Sequence, residues 1–117
     1  MRLVLDTSAL FSMNKLPKGE LYTTPGVIGE MKKYGDERAG YLAALVNVIE
    51  PTKESMKRVR EGARITRDSS RLSPVDMEVV ALARDLDAAI LTDDYSIQNL
   101  AKYLGISYSP VNIQGIT

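Results

Sequence analysis

The chain has 117 residues, 44% hydrophobic and 26% charged, with 15 basic and 15 acidic side chains. That length suits one domain, residues 1–117, with its own core, and the formal net charge of +0 gives no global attraction to nucleic acid. With 0 Cys and 0 His, disulfides, thiolate metal sites and histidine- or cysteine-based triads are excluded, so proton transfer and metal binding fall to Asp and Glu.

Residues 2–6 form a compact apolar strand that Asp6 closes. Residues 7–13 read as a short helix, and Pro17-Lys18-Gly19 as a turn. A short β-type run covers 21–24. Pro25 suits a first helical position and opens a helix to about residue 34. A second helix spans about 36 to 45. Residues 46–50 are apolar and β-prone, and Pro51 stops them. The pattern then predicts helices over 53–67 and 73–86, and a buried strand over 88–92. Residues 95–104 carry Ile97, Leu100, Ala101 and Leu104 at helical spacing, with Gly105 as the cap. Residues 106–111 read as a last edge strand before a loose tail. No apolar run approaches the roughly 20 residues that span a bilayer. Met1 leads straight into a strand, so no signal peptide, no membrane partner and a cytoplasmic location are expected.

Strands alternating with helices predict an α/β fold, a parallel twisted sheet of about four or five strands with helices on both faces. Ligands bind such sheets beyond the carboxyl ends of the strands. Asp6 and the pair Asp93–Asp94 fall at such ends, Glu30 lies on an early helix, and Asp76 sits in the first turn of a later one. Each has a bland alternative. Asp6 and Asp94 can cap the helices that follow them. Glu30 can be a solvated surface glutamate, and Ser73-Pro74-Val75-Asp76 resembles a capping box. At about 100° per residue, however, Asp76 points between Val80 and Ala83, at the edge of the apolar face that also holds Val75, Val79, Leu82 and Leu86. Carboxylates gathered at one sheet edge repel unless a cation sits among them. Oxygen-only ligands suit Mg²⁺ or Mn²⁺, which points to phosphodiester hydrolysis.

Lys53, Lys57, Arg60, Arg64 and Arg67 recur at i, i+4, i+7, i+11 and i+14, a sector of about 80° on a helix. Met56, Val59 and Ala63 mark the buried face beside them. The stripe is either a solvated, salt-bridged face or a track for a phosphate backbone.

These residues together resemble a PIN domain, a metal-dependent ribonuclease fold. The resemblance rests on Leu3-Val4-Leu5-Asp6-Thr7-Ser8, the proline-led helix from Pro25 to Glu30, Ser73-Pro74-Val75-Asp76 and Thr92-Asp93-Asp94. It covers essentially the whole chain. Within PIN domains the chain is most similar to archaeal Nob-type endonucleases, which mature the 3′ end of small-subunit ribosomal RNA. The segments that carry this similarity are residues 72–83 and 91–101. Nob-type proteins usually carry a four-cysteine zinc ribbon, so a chain with 0 Cys departs from them there. Either the ribbon has been lost or the chain is part of a longer protein.

The resemblance implies a three-layer PIN-like fold and a Mg²⁺- or Mn²⁺-dependent endoribonuclease acting on single-stranded RNA. It implies that Asp6, Asp76 and Asp94 hold metal, with Asp93 sharing the role of the fourth acid, and that Glu30 binds metal or orients the attacking water. Thr7, Ser8 and Thr92 would order the carboxylates, and the basic helix would hold RNA. Implied partners are a small-subunit rRNA precursor, a ribosomal pre-subunit and, as is common in the family, a second copy of the chain. Two rival readings fit the same fold. One is a toxin-type PIN ribonuclease paired with a small antitoxin, and the other a non-catalytic PIN-fold RNA-binding scaffold.

Overall fold

The computed structural model describes residues 1–111. Five strands form one parallel sheet in the order β3-β2-β1-β4-β5: β1 Arg2–Leu5, β2 Glu20–Thr23, β3 Asn47–Val48, β4 Ala89–Leu91 and β5 Tyr108–Ser109. Among the described residues, six helices flank it: α1 Thr7–Ser12, α2 Pro25–Lys33, α3 Arg38–Leu45, α4 Lys53–Ile65, α5 Pro74–Leu86 and α6 Tyr95–Leu104. The α/β, PIN-like architecture expected from the sequence is therefore the one observed. The expected tail lies outside the described residues.

The central strands are apolar on both faces because helices cover both. Val4, Leu5, Ile90 and Leu91 are fully buried, as a sheet closed on two sides requires. Helix α5 packs on β1, β4, α4 and α6. It contributes the buried run Val79, Val80, Ala81, Leu82 and Ala83. The edge strands β3 and β5 have two residues each, shorter than the apolar runs 46–50 and 106–111 suggested. An edge strand pairs on one side only, and here the ladders stop where the single neighbour ends.

The strand order reverses direction between β1 and β4, the neighbours at the centre of the sheet. In open parallel sheets the crevice at such a reversal is the natural binding site. Helix caps sharpen its rim. Asp6, Ser73 and Asp94 cap α1, α5 and α6 with side-chain oxygens.

Helix α4 ends earlier than the sequence suggested. Its last helical residue is Ile65, and Arg67 adopts a left-handed conformation with φ 65°. The Asp68 N–H closes the end by donating to the Ala63 carbonyl at 2.9 Å. Arg67 thus leaves the helical stripe, which corrects the expected helix end at residue 67. Replacing Arg67 by Gly should remove a left-handed penalty of about 1 kcal/mol and raise the urea midpoint. An unchanged or lower midpoint would show that the Arg67 side chain itself stabilises the turn.

A second anchor of α4 was not anticipated. Asp85 on α5 accepts hydrogen bonds from the Thr52 N–H (2.7 Å), the Thr52 hydroxyl (2.8 Å) and the Ser55 hydroxyl. Arg84 in turn donates to Ser55 at 2.8 Å. Burial pushes the Asp85 carboxyl up, but the donors from Ser55 and Thr52 and the Arg84 charge outweigh it, so it lies below the usual carboxylate range. Its contribution to stability is therefore present above the unfolded-state pKa and lost as pH falls through the lowered value. Asp85→Ala should cost about 1–2 kcal/mol at neutral pH by urea denaturation, and the gap from wild type should close below about pH 4.

Candidate active site

The site is built from the residues that leave the sheet. Asp6 follows β1 and is only 3% exposed. Its Oδ1 accepts from the Ala9 N–H at 2.7 Å and the Ser8 hydroxyl at 2.8 Å, while its Oδ2 accepts from the Thr92 hydroxyl. Thr92 follows β4 and is fully buried. Its hydroxyl oxygen also accepts from the Asp94 N–H at 3.0 Å, and its carbonyl accepts from the Gln98 amide at 2.9 Å. One threonine thus links the ends of both central strands to the start of α6. Gln98 escaped the sequence reading, although its position four residues after Asp94, one helical turn, would have placed it near this edge.

Asp94 spends one oxygen on its helix. Oδ1 accepts from Ser96 and Ile97 N–H groups at 2.8 and 3.1 Å. Asp76 forms the capping box its sequence suggested: Oδ2 accepts from the Ser73 N–H at 2.9 Å, and Ser73 returns the bond to the Asp76 N–H at 3.1 Å. Glu30, on α2, accepts the Thr7 hydroxyl at 2.7 Å through Oε1. Glu30, Asp76 and Asp94 are each half-buried. Among the described residues, Glu30 Oε2, Asp76 Oδ1 and Asp94 Oδ2 receive no protein donor.

The four acids act on one another. Burial raises the Asp6 carboxyl above its ordinary value; donors from Thr92, Ala9 and Ser8 oppose this, and the Asp94 charge adds to it. Burial likewise raises Asp76, against the Ser73 donors and with the charges of Asp94 and Glu30. Asp93 stands apart. It is exposed, and its Oδ1 accepts the Val111 N–H at 2.8 Å, which fastens the chain beyond β5.

Among the described residues, no three acidic side chains converge closely enough to hold a metal ion directly. The donor set still fits a hard divalent cation, because it offers only oxygens, three of them free, in a field of mutual repulsion. Cavity volume alone does not mark this edge. A cleft of about 570 Å³ lies at the opposite end of the sheet, lined by Met1, Arg2, Ala88 and Gly105 among others. It gathers no comparable set of acids.

The family described as the PIN domain of ribonuclease matches residues 3–86. The chain belongs to this family. It is 45% identical over 116 residues to "Ribonuclease VapC1" of Thermoplasma acidophilum, an alignment covering 97% of this chain and 59% of that protein. It is 40% identical to "Endoribonuclease Nob1" of Methanothermobacter thermautotrophicus, covering 99% of this chain and 72% of that protein. The chain therefore spans about three fifths to three quarters of the length of these PIN-domain relatives. Among solved structures, VapBC-1 from nontypeable Haemophilus influenzae superposes with a TM-score of 0.71 at 17% identity, covering 96% of this chain and 99% of that one. That likeness is one of fold.

Because burial and like charges raise the Asp76 carboxyl, ionising it opposes folding as pH rises through the raised value. Asp76→Asn should therefore melt at a higher temperature than wild type at neutral pH without divalent ions. Saturating Mn²⁺, which binds only the folded state, should raise the wild-type melting temperature and narrow or reverse that gap. A wild-type melting curve indifferent to Mn²⁺ would argue against a cation at this edge.

Proposed function

We propose that the chain is a Mg²⁺- or Mn²⁺-dependent endoribonuclease that cleaves single-stranded RNA at the carboxyl edge of its sheet. The observation that carries this reading is the shared field of Asp6, Glu30, Asp76 and Asp94 across the β1–β4 reversal, in a chain of the PIN-domain ribonuclease family. Asp6, Asp76 and Asp94 would hold the cation, partly through its waters, as suits an ion that dehydrates reluctantly. The bound ion would supply Lewis acidity at the phosphate and a lowered water pKa. Glu30, with Oε1 fixed by Thr7, presents Oε2 to orient the attacking water. Thr92 and Ser8 keep the buried Asp6 ionisable by donating to it. Asp94 rather than Asp93 is the fourth acid, because it is Asp94 whose charge reaches both Asp6 and Asp76.

The finer reading is maturation of the 3′ end of small-subunit rRNA, within a ribosomal pre-subunit. Support comes from relatives named Endoribonuclease Nob1 in four archaea, at 35% to 41% identity. A second reading, a toxin-type ribonuclease held by an antitoxin, is favoured by the VapC1 relative and by an exposed apolar cleft. That cleft, about 320 Å³, lies between α1 and α3 and is lined by Leu10, Met13, Leu16, Tyr41 and Leu45 among others.

With Mn²⁺, the protein should cut a single-stranded RNA spanning a small-subunit 3′ end, and Asp6→Asn should reduce the rate by about 100-fold or more. Equal cleavage by both proteins would sink the assignment. Growth arrest on expression, with no preference for the rRNA substrate, would favour the toxin reading instead.

A further inference from the structure

The cations of α4 are not spread evenly into solvent. Lys57, Arg60 and Arg64 line a cleft of about 340 Å³ where α4 runs beside the loop at Ser69 and the first turns of α5, with Glu61 and Met77. Glu61 reaches Arg58 at 4.0 Å. Among the described residues, none of Lys57, Arg60 and Arg64 forms an ion pair. Arg60 also lines a neighbouring cleft of about 300 Å³ with Pro51, Met56 and Pro74, so the two share a wall along the α4–α5 seam. Glu50 and Glu78 line that second cleft and would repel phosphate at its far end. The cationic part of the seam is therefore bounded. Lys53, on the first turn of α4, and Arg67, beyond its end, line neither cleft.

Lys57, Arg60 and Arg64, none of them in an ion pair among the described residues, outnumber Glu61, the carboxylate that lines the same cleft, and leave a net positive field around half-buried Met77. An occupant must then be anionic along one side and apolar on another. A single strand of RNA has both properties, since its phosphates are charged and its unpaired bases expose flat faces. A duplex hides those faces. Methionine offers a soft, polarisable contact for such a face. Met77 directly follows Asp76 in α5, turned by about 100° from it, so the seam lies beside the turn that brings Asp76 to the acidic edge.

We infer that the α4–α5 seam seats a nucleotide of the single-stranded substrate, with phosphates on Lys57, Arg60 and Arg64 and a base face on Met77. This rests on the ribonuclease reading for the identity of the strand. It also narrows the basic stripe from a continuous track to one bounded seat.

The test is equilibrium binding of a fluorescent single-stranded RNA of about 12 nucleotides to the 117-residue chain, in EDTA, across a salt series. Lys57→Gln/Arg60→Gln/Arg64→Gln should weaken binding at least about tenfold and lower the logarithmic salt slope by about 2, at roughly 0.7 per phosphate contact. The charge-matched Lys53→Gln/Arg58→Gln/Arg67→Gln should weaken it less than about threefold. Wild type should prefer RNA to an abasic strand of equal length, and Met77→Ala should lose that preference with its salt slope unchanged. Urea midpoints of each variant establish that the fold is kept. Equal losses from the two triple variants, or equal wild-type affinity for the abasic strand, would overturn the seat. Wild-type cleavage with Mn²⁺ is measured in parallel. Cleavage with equal losses leaves the ribonuclease and removes the seat; selective binding without cleavage leaves the seat and removes the ribonuclease.

Discussion

A carboxylate that is 3% exposed has to be answered by donors or it will not stay charged, and at Asp6 the answer is supplied by both central strands. Ala9 and Ser8 donate from its own side of the sheet, and Thr92 donates across from β4. An unsatisfied buried charge would cost several kcal/mol. The hydroxyl of Thr92 therefore does more than close a gap between strands. It fixes the position of the deepest acid relative to Asp94, whose N–H it also accepts. The relation between β1 and β4 and the relation between Asp6 and Asp94 are one and the same constraint.

Capping and chemistry are usually treated as rival explanations for an acid at a helix start. Here capping takes only one oxygen of the carboxylate. Asp94 gives Oδ1 to its helix, and Asp76 gives Oδ2 to the Ser73 N–H, each leaving the other oxygen without a protein donor. The cap holds the side-chain rotamer, so the direction of the remaining oxygen is set by the helix. The positive end of α5 or α6 also lowers the cost of holding a negative charge there. This explains how four like charges can share one edge of a small domain without unfolding it.

Much of this was legible in the sequence because the signals were local. Asp94 and Gly105 bracket α6, and the helix runs over the residues that the pattern predicted. The acids at the ends of β1 and β4 could be placed because strand ends are marked by the switch from apolar to polar residues. What was not legible depended on distant partners. The lengths of β3 and β5 are set by how far one neighbour extends, which no local pattern encodes. The left-handed turn at Arg67 carries no glycine to announce it. The hydrogen bonds of exposed Asp85 carry no local signal, because Thr52 and Ser55 come to it from thirty or more residues away in the chain. Asp93 and Asp94 were indistinguishable by adjacency alone. In the structure they differ in surroundings: exposed Asp93 accepts the Val111 N–H, and half-buried Asp94 caps α6.

The hydrogen bond to Asp93 pins the backbone at Val111 within one residue of Asp94, on the carboxyl edge, whereas Met1 lies at the opposite end, where its carbonyl accepts the Glu20 N–H. Removing the Asp93 carboxylate would release the Val111 backbone from the edge beside Asp94.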